Sequence, residues 1–291
     1  MLSFSPFARR VFRLSPAWLA LSVAGLLWPL APRAQAPETA PYRILVTNDD
    51  GVRAPGLAAL ARALAPLGEM TIVAPAENQS GKGHSISMTD PIYADPVELA
   101  GGLRGWALAA TPASCVKVAI GALMPQRPDL VVSGINRGYN VGMVAYVSGT
   151  VGAAREAALE GVPAIAASLA DEAHPDYDAA AEMVRRVAAE VKARGLDPAV
   201  FLNVNIPPGS LETLSARGLR VTRQSGQSGA ERFEEQRSPR GRRYFWSIWQ
   251  EPTGGPAGTD VRAVEQGYVA VTPMRVGEFD AATFDRWKDL K

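Results

Sequence analysis

Ile44-Leu45-Val46-Thr47-Asn48-Asp49-Asp50-Gly51 is the stretch on which the fold turns: a short apolar run that ends abruptly in two adjacent acids and a glycine. A continuous run of this length suits a strand buried on both faces, as in a parallel sheet. Three further runs repeat the design. Met70-Thr71-Ile72-Val73-Ala74 stops at Pro75-Ala76-Glu77-Asn78-Gln79-Ser80-Gly81, Leu130-Val131-Val132 stops at Ser133-Gly134-Ile135-Asn136, and Ala164-Ile165-Ala166-Ala167 stops at Ser168. Helical patterns lie between them, at 56–67, 112–124, 150–160 and 178–194, the last ending at Gly195. Strand–helix alternation of this kind predicts an α/β fold, a doubly wound, Rossmann-like and mostly parallel sheet. Ligands of such sheets collect beyond the carboxyl ends of the strands. The polar motifs all fall at those ends.

Beyond residue 200 the pattern changes. Phe201-Leu202-Asn203-Val204-Asn205-Ile206-Pro207 reads as one more strand, and residues 217–243 are rich in Arg, Glu, Gly and Ser before Tyr244-Phe245-Trp246-Ser247-Ile248-Trp249. This predicts a hairpin or extended arm with solvated charges, its aromatics packed on the core or on another subunit, and a final strand near 268–272. Residues 42–291 thus read as a single α/β domain that includes a C-terminal arm, about 200–291.

Composition narrows the chemistry. The 291 residues are 47% hydrophobic and 20% charged with a formal charge of +1, which gives no reason to expect a nucleic acid duplex as partner. One cysteine, Cys115, excludes a disulfide framework and a multi-cysteine zinc site, and two histidines, His84 and His174, leave little for a His-rich centre. Cys115 opens an apolar helix and reads as core; His84 lies in the Ser80 loop, where reaching a substrate and a structural role stand level; His174 reads as surface. The chain contains no G-x-x-x-x-G-K-[ST] loop, no G-x-S-x-G elbow and no H-E-x-x-H pair.

The first 36 residues read as an address. Arg9, Arg10 and Arg13 precede an apolar run from about 17 to 31 and the small-residue site Ala34-Gln35-Ala36, the layout of a secretory signal peptide, with Arg9-Arg10 of twin-arginine type. The apolar run is short for a stable membrane span. The expectation is an exported, periplasmic protein with a 37–41 linker; Pro37 after the cut and an uncleaved or cytoplasmic form are the competing reading.

Asp49 and Asp50 repel unless a cation or proton lies between them, although Asp-Asp-Gly also occurs in ordinary turns. Ser80 and Asn136, at the ends of the second and third runs, would complete an all-oxygen donor set suited to one hard divalent ion, Mg²⁺ or Mn²⁺. Such a set leaves a bound ion with open positions for a phosphate oxygen and a water. Ser148-Gly149-Thr150 opens a helix, where unpaired N–H groups make an anion site, unless the hydroxyls simply cap it. Asn140 lies between the two motifs and could donate to the same anion.

Taken together, 44–51, Asn78-Gln79-Ser80-Gly81, Ser133-Gly134-Ile135-Asn136 and Ser148-Gly149-Thr150-Val151 resemble the SurE family of metal-dependent nucleotidases. Asn203-Val204-Asn205-Ile206-Pro207, Gly258-Thr259-Asp260 and 267–273 extend the resemblance over about 42–274. It implies removal of phosphate from nucleoside 5′- and 3′-monophosphates, with Asp49 and Asp50 as catalytic carboxylates. Asp49, Asp50, Ser80 and Asn136 would hold the metal; Asn48, Asn140, Ser148, Gly149 and Thr150 would hold the substrate. It further implies a homodimer or homotetramer with exchanged C-terminal arms. The chain departs from the family pattern at Met143 and Val144, where acids are common, at Val147, where Tyr is usual, and at Ser114, which replaces Asp. Two other activities stay open on the sequence: a broad acid phosphatase or exopolyphosphatase, and a non-catalytic periplasmic nucleotide-binding protein.

Overall fold

In the computed structural model of the chain, which describes residues 41–170, 175–277 and 280–287, the decisive run becomes β1 (Arg43–Thr47) at the heart of the sheet. The expected signal segment, residues 37–40 of the linker and His174 lie outside the described residues. After β1 come α1 (Pro55–Leu64), β2 (Glu69–Pro75), β3 (Ala94–Glu98), β4 (Arg104–Leu108) and α2 (Pro112–Val118). Next are β5 (Leu130–Arg137), α3 (Gly149–Leu159), β6 (Ala164–Leu169), α4 (Tyr177–Arg194) and β7 (Val200–Ile206). The C-terminal part holds α5 (Leu211–Arg217), β8 (Leu219–Val221), β9 (Ala230–Arg237), β10 (Arg243–Gln250), α6 (Asp260–Glu265), β11 (Val269–Arg275) and α7 (Ala281–Trp287).

Nine strands form one sheet in the order β3-β4-β2-β1-β5-β6-β7-β11-β8. β3 is antiparallel to β4 and β11 is antiparallel to β7, while the remaining neighbours are parallel. The alternation within β1 shows why both faces must be covered. Ile44 and Val46 face a layer that includes Leu57, Leu60 and Leu64 of α1 and Val184 and Val187 of α4. Leu45 faces the other way, onto a layer containing Cys115 and Val116 of α2 and Ala153, Ala154 and Ala157 of α3. Each fully buried aliphatic side chain contributes about 1.5–3 kcal/mol, so the two-sided run stabilises both layers against the sheet. Helix ends follow local chemistry: Pro55 opens α1, Asp176 Oδ1 accepts from Ala179 N at 2.9 Å to cap α4, and Gly195, at φ 75°, closes it.

Strand order reverses at β1, since β2 pairs on one side of it and β5 on the other. The crevice beyond the carboxyl ends of β1 and β5 is therefore the topological switch point, where such folds bind ligands.

Some details differ from the sequence expectation. β5 continues through the polar residues to Arg137, with a register shift between Ser133 and Asn136. Gly134 makes this possible: at φ +142° it approaches Ala167 so closely that a Cβ would lie 2.4 Å from the carbonyl oxygen. β3 and β4 were not foreseen, because β3 is an exposed edge strand bearing Asp95, Pro96 and Glu98, without an apolar alternation. The arm is a separate antiparallel hairpin of β9 and β10, with Arg243 Nε 2.7 Å from Glu235 Oε1 and Tyr244 Oη donating to Gln236 Oε1 at 2.7 Å. Its aromatics do not pack on the core: Phe233, Tyr244, Phe245, Trp246 and Trp249 are all exposed.

Candidate active site

The two acids leave β1 at the switch point, and they occupy different environments. Asp49 is buried and turned onto the amino terminus of α3. Its carboxylate accepts from Thr150 Oγ1 and from the backbone N–H groups of Gly149 and Thr150. Burial raises its pKa, and these bonds only partly oppose the rise. Asp50 is less buried and accepts from the backbone N–H of Arg137. Burial first, and the Asp49 charge second, push it up to about 6 against the pull of Arg137. Both carboxylates are thus short of positive charge.

Backbone contacts bring the Ser80 loop and the end of β5 to this pair. Gln79 N donates to Asp49 O at 2.7 Å, next to the exposed Ser80, whose N–H donates to Asn78 Oδ1 at 2.9 Å. Asn136, in β5, sits beside Arg137 and so beside Asp50; its Nδ2 donates to Gly138 O at 2.9 Å. That bond uses the amide nitrogen and leaves the oxygen for another partner. Asn48 donates to Gly51 O at 2.9 Å, and its fully buried Oδ1 has no hydrogen-bond partner among the described residues. Carboxylates, hydroxyl and amide oxygens are hard ligands, so the donor chemistry fits Mg²⁺ or Mn²⁺. Among the described residues no group of three or more His, Cys, Asp or Glu side chains offers a softer alternative.

The helix terminus behaves in two ways at once. Ser148 Oγ caps α3 by accepting from Val151 N at 3.2 Å, and Ser148 O accepts from Gly152 N at 2.9 Å. The next donors, Gly149 and Thr150, are held by Asp49. A phosphate at this terminus therefore shares its donors with Asp49. Asn140 is buried: its Nδ2 donates to Ser168 Oγ at 2.7 Å, its N–H to Asn205 Oδ1 at 2.8 Å, and its carbonyl accepts from Asn203 Nδ2 at 2.8 Å. One of its amide protons is thus committed to the protein.

Sequence reasoning missed the groups that hold these loops. Asp260 is fully buried and accepts from Gly142 N and Ser225 N, both at 2.8 Å, while Met143 N donates to Gln227 O at 2.9 Å. His84 faces Glu156 of α3 at 2.6 Å and not the acids. Cys115 is buried and its thiol is pushed up to about 12, which makes it an inert core residue. Ser114 is buried in a hydroxyl cluster, accepting from Ser87 N at 2.8 Å and from Thr111 Oγ1 at 3.0 Å. Met143 and Val147 are exposed on the turn before Ser148.

A carboxylate pair thus lies at the switch point of a doubly wound α/β sheet, with one acid seated on a helix amino terminus and hard oxygen donors around it. The family described as Survival protein SurE matches residues 44–231. A 5′-nucleotidase SurE of Syntrophobacter fumaroxidans is 43% identical over 236 residues, 80% of this chain and 92% of the relative. One of Rhodopirellula baltica is 42% identical over 234 residues, with the same shares covered. The crystal structure of the SurE protein from Aquifex aeolicus superposes with a TM-score of 0.75 at 34% identity, covering 85% of this chain and 99% of that one. The chain belongs to the SurE family.

Gly149 supplies a direct test of the geometry. A Cβ there would lie 2.8 Å from Asp49 Cβ and 2.9 Å from its Oδ2. Gly149→Ala should displace Asp49 and weaken Mn²⁺ binding by roughly 10-fold or more, as read by titration with electron paramagnetic resonance. Unchanged affinity would dissociate Asp49 from the metal.

Proposed function

We propose that this chain is a metal-dependent 5′-nucleotidase, hydrolysing nucleoside 5′- and 3′-monophosphates to nucleoside and phosphate. The observation that carries the reading is the seating of Asp49 on the amino terminus of α3, beside Asp50. Asp49, Asp50, Ser80 and Asn136 are assigned as metal ligands, and Asn48, Asn140, Ser148, Gly149 and Thr150 as substrate contacts. A Mg²⁺ or Mn²⁺ ion held there would supply polarisation of a phosphoryl oxygen and acidification of a water.

The chain's own groups do the rest. The α3 terminus sets its partial positive charge beside the phosphoryl oxygens, whose charge is spread in the transition state, while its first N–H groups are held by Asp49 and Ser148. Thr150 Oγ1 and the Gly149 and Thr150 N–H groups keep Asp49 oriented. Asp50 has fewer protein donors, so its carboxylate is the one free to orient the attacking water and take its proton. Water oxygen then bonds to phosphorus, the ester P–O bond breaks, and the nucleoside oxygen leaves with a proton. The named relatives are 5′-nucleotidases and this chain matches 92% of the length of each, which favours this reading over a polyphosphatase or a silent binding protein.

The hairpin supports a further assignment. An isolated two-stranded hairpin is marginal in water, and this one exposes five aromatic side chains, which fits pairing with a second copy in a homodimer or homotetramer. Export to the periplasm rests on the Arg9-Arg10 start, the apolar run and Ala34-Gln35-Ala36. No helix among the described residues is long and apolar enough to cross a membrane.

Three outcomes are expected. Phosphate release from 5′- and 3′-nucleotides should require Mg²⁺ or Mn²⁺, vanish with EDTA, and fall by about 10³-fold or more in Asp49→Ala; near-normal turnover in that variant would refute the site. Trp246→Glu, combined with Phe245→Glu, should shift the protein from dimer or larger toward monomer in light scattering, and a monomeric wild type would remove the arm's assigned role. The mature protein from native cells should begin close to Pro37 by mass spectrometry, whereas a start at Met1 would end the export assignment.

A further inference from the structure

Glu156 is the charge the proposed reaction does not use. It lies on α3 with a side chain only 6% exposed, yet it meets two basic side chains from two other segments. His84 Nε2, from the Ser80 loop, stands 2.6 Å from Glu156 Oε2. Lys117 Nζ, from α2, donates to Glu156 Oε1 at 2.9 Å and also to Glu160 Oε1 at 2.9 Å. Burial alone would raise the Glu156 pKa, but the bonds from His84 and Lys117 outweigh it and hold the carboxyl below its usual range. A buried carboxylate is costly unless paired, so the pairings are strongly specified.

Two backbone features place the same loop on the same helix. Gly83 N donates to Val147 O at 3.0 Å, one residue before the cap of α3. Gly152, one turn into α3, packs so tightly that a Cβ would lie 2.3 Å from Gly83 O. The loop that carries Ser80 is therefore pinned to α3 at Val147, at Gly152 and at Glu156. Asp49 is pinned to the same helix, at Gly149 and Thr150. One rigid element thus sets the spacing between two assigned metal ligands that are far apart in sequence.

We infer that His84, gripped by Glu156, is a positioning residue that fixes Ser80 relative to Asp49 through α3 and thereby sets the affinity of the metal site. It touches neither substrate nor metal and acts through the loop. The inference rests on the metal-dependent reading above and deepens it. Loss of such a supporting contact typically lowers metal affinity by about 10–100-fold.

The test follows Mn²⁺ binding to the intact protein by electron paramagnetic resonance, in the absence of substrate, for wild type, His84→Asn and His84→Gln. Both replacements are neutral and polar, but only Gln has the reach to donate an amide N–H to Glu156. His84→Asn should raise the Mn²⁺ dissociation constant by roughly 10-fold or more. His84→Gln should restore it to within about threefold, with hydrogen exchange of residues 79–84 slowed back to the wild-type rate. Wild-type Mn²⁺ affinity in folded His84→Asn overturns the inference, as does equal loss in both variants with loop exchange unchanged. If His84→Asn does not fold, His84→Gln alone decides: wild-type affinity and loop protection support the clamp, and weakened binding with wild-type loop protection overturns it. Failure of the wild type to take up Mn²⁺ is seen before any variant and overturns the metal reading itself.

Discussion

The contact between Asp49 and the amino terminus of α3 governs the arrangement of the rest. A carboxylate withdrawn from water costs several kcal/mol, even after relaxation. Charge-assisted bonds from Thr150 Oγ1 and the two N–H groups, together with the helix terminus, offset part of that cost. The balance remains against the charge, since the Asp49 pKa stays raised in spite of these bonds. Asp50 alongside is raised for the same reason and by the neighbouring charge. A cation bound between the two would relieve both costs, in keeping with the proposed metal site.

Holding that contact requires the layers on both sides of the sheet. Leu45 packs toward α2 and α3 while Ile44 and Val46 pack toward α1 and α4, so β1 can shift neither way without opening one core. Gly149 gives Asp49 room at α3, and Gly134 lets β5 press on β6 where its register shifts toward Asn136. Close packing transmits small displacements, so these glycines govern the site although neither carries a functional group.

How much of this could be read in advance follows from how local each signal is. The β1 run, the caps and the helix boundaries depend on a few neighbouring residues, and 44–51 alone placed the acids at a strand's carboxyl end. β3 was hidden because an edge strand has little apolar area to bury, and Asp95 and Pro96 obscure its alternation. His84 looked equally suited to substrate or to structure, because its partner Glu156 is 72 residues away and only the packing of α3 decides between them. Asp260 lies in the Gly258-Thr259-Asp260 motif, but its bonds to Gly142 and Ser225 depend on the chain returning from the arm. The oxygen donors were legible as types. The network that orients them was not.

That return ties the C-terminal segment to the site more closely than an appended arm would be. β11 and β8 complete the nine-stranded sheet beyond β7, and α6 follows the arm with Asp260 at its first position. Asp260 then fixes Gly142, while Gln224 Nε2 donates to Gly142 O at 2.8 Å and Gln227 O accepts from Met143 N. Gly142, at φ +55°, approaches so closely that a Cβ would lie 2.4 Å from Gln227 O. The turn that leads into Ser148 is therefore clamped by the residues from which the hairpin springs. The base of the hairpin and the turn before α3 thus share their anchors, Asp260, Gln224 and Gln227.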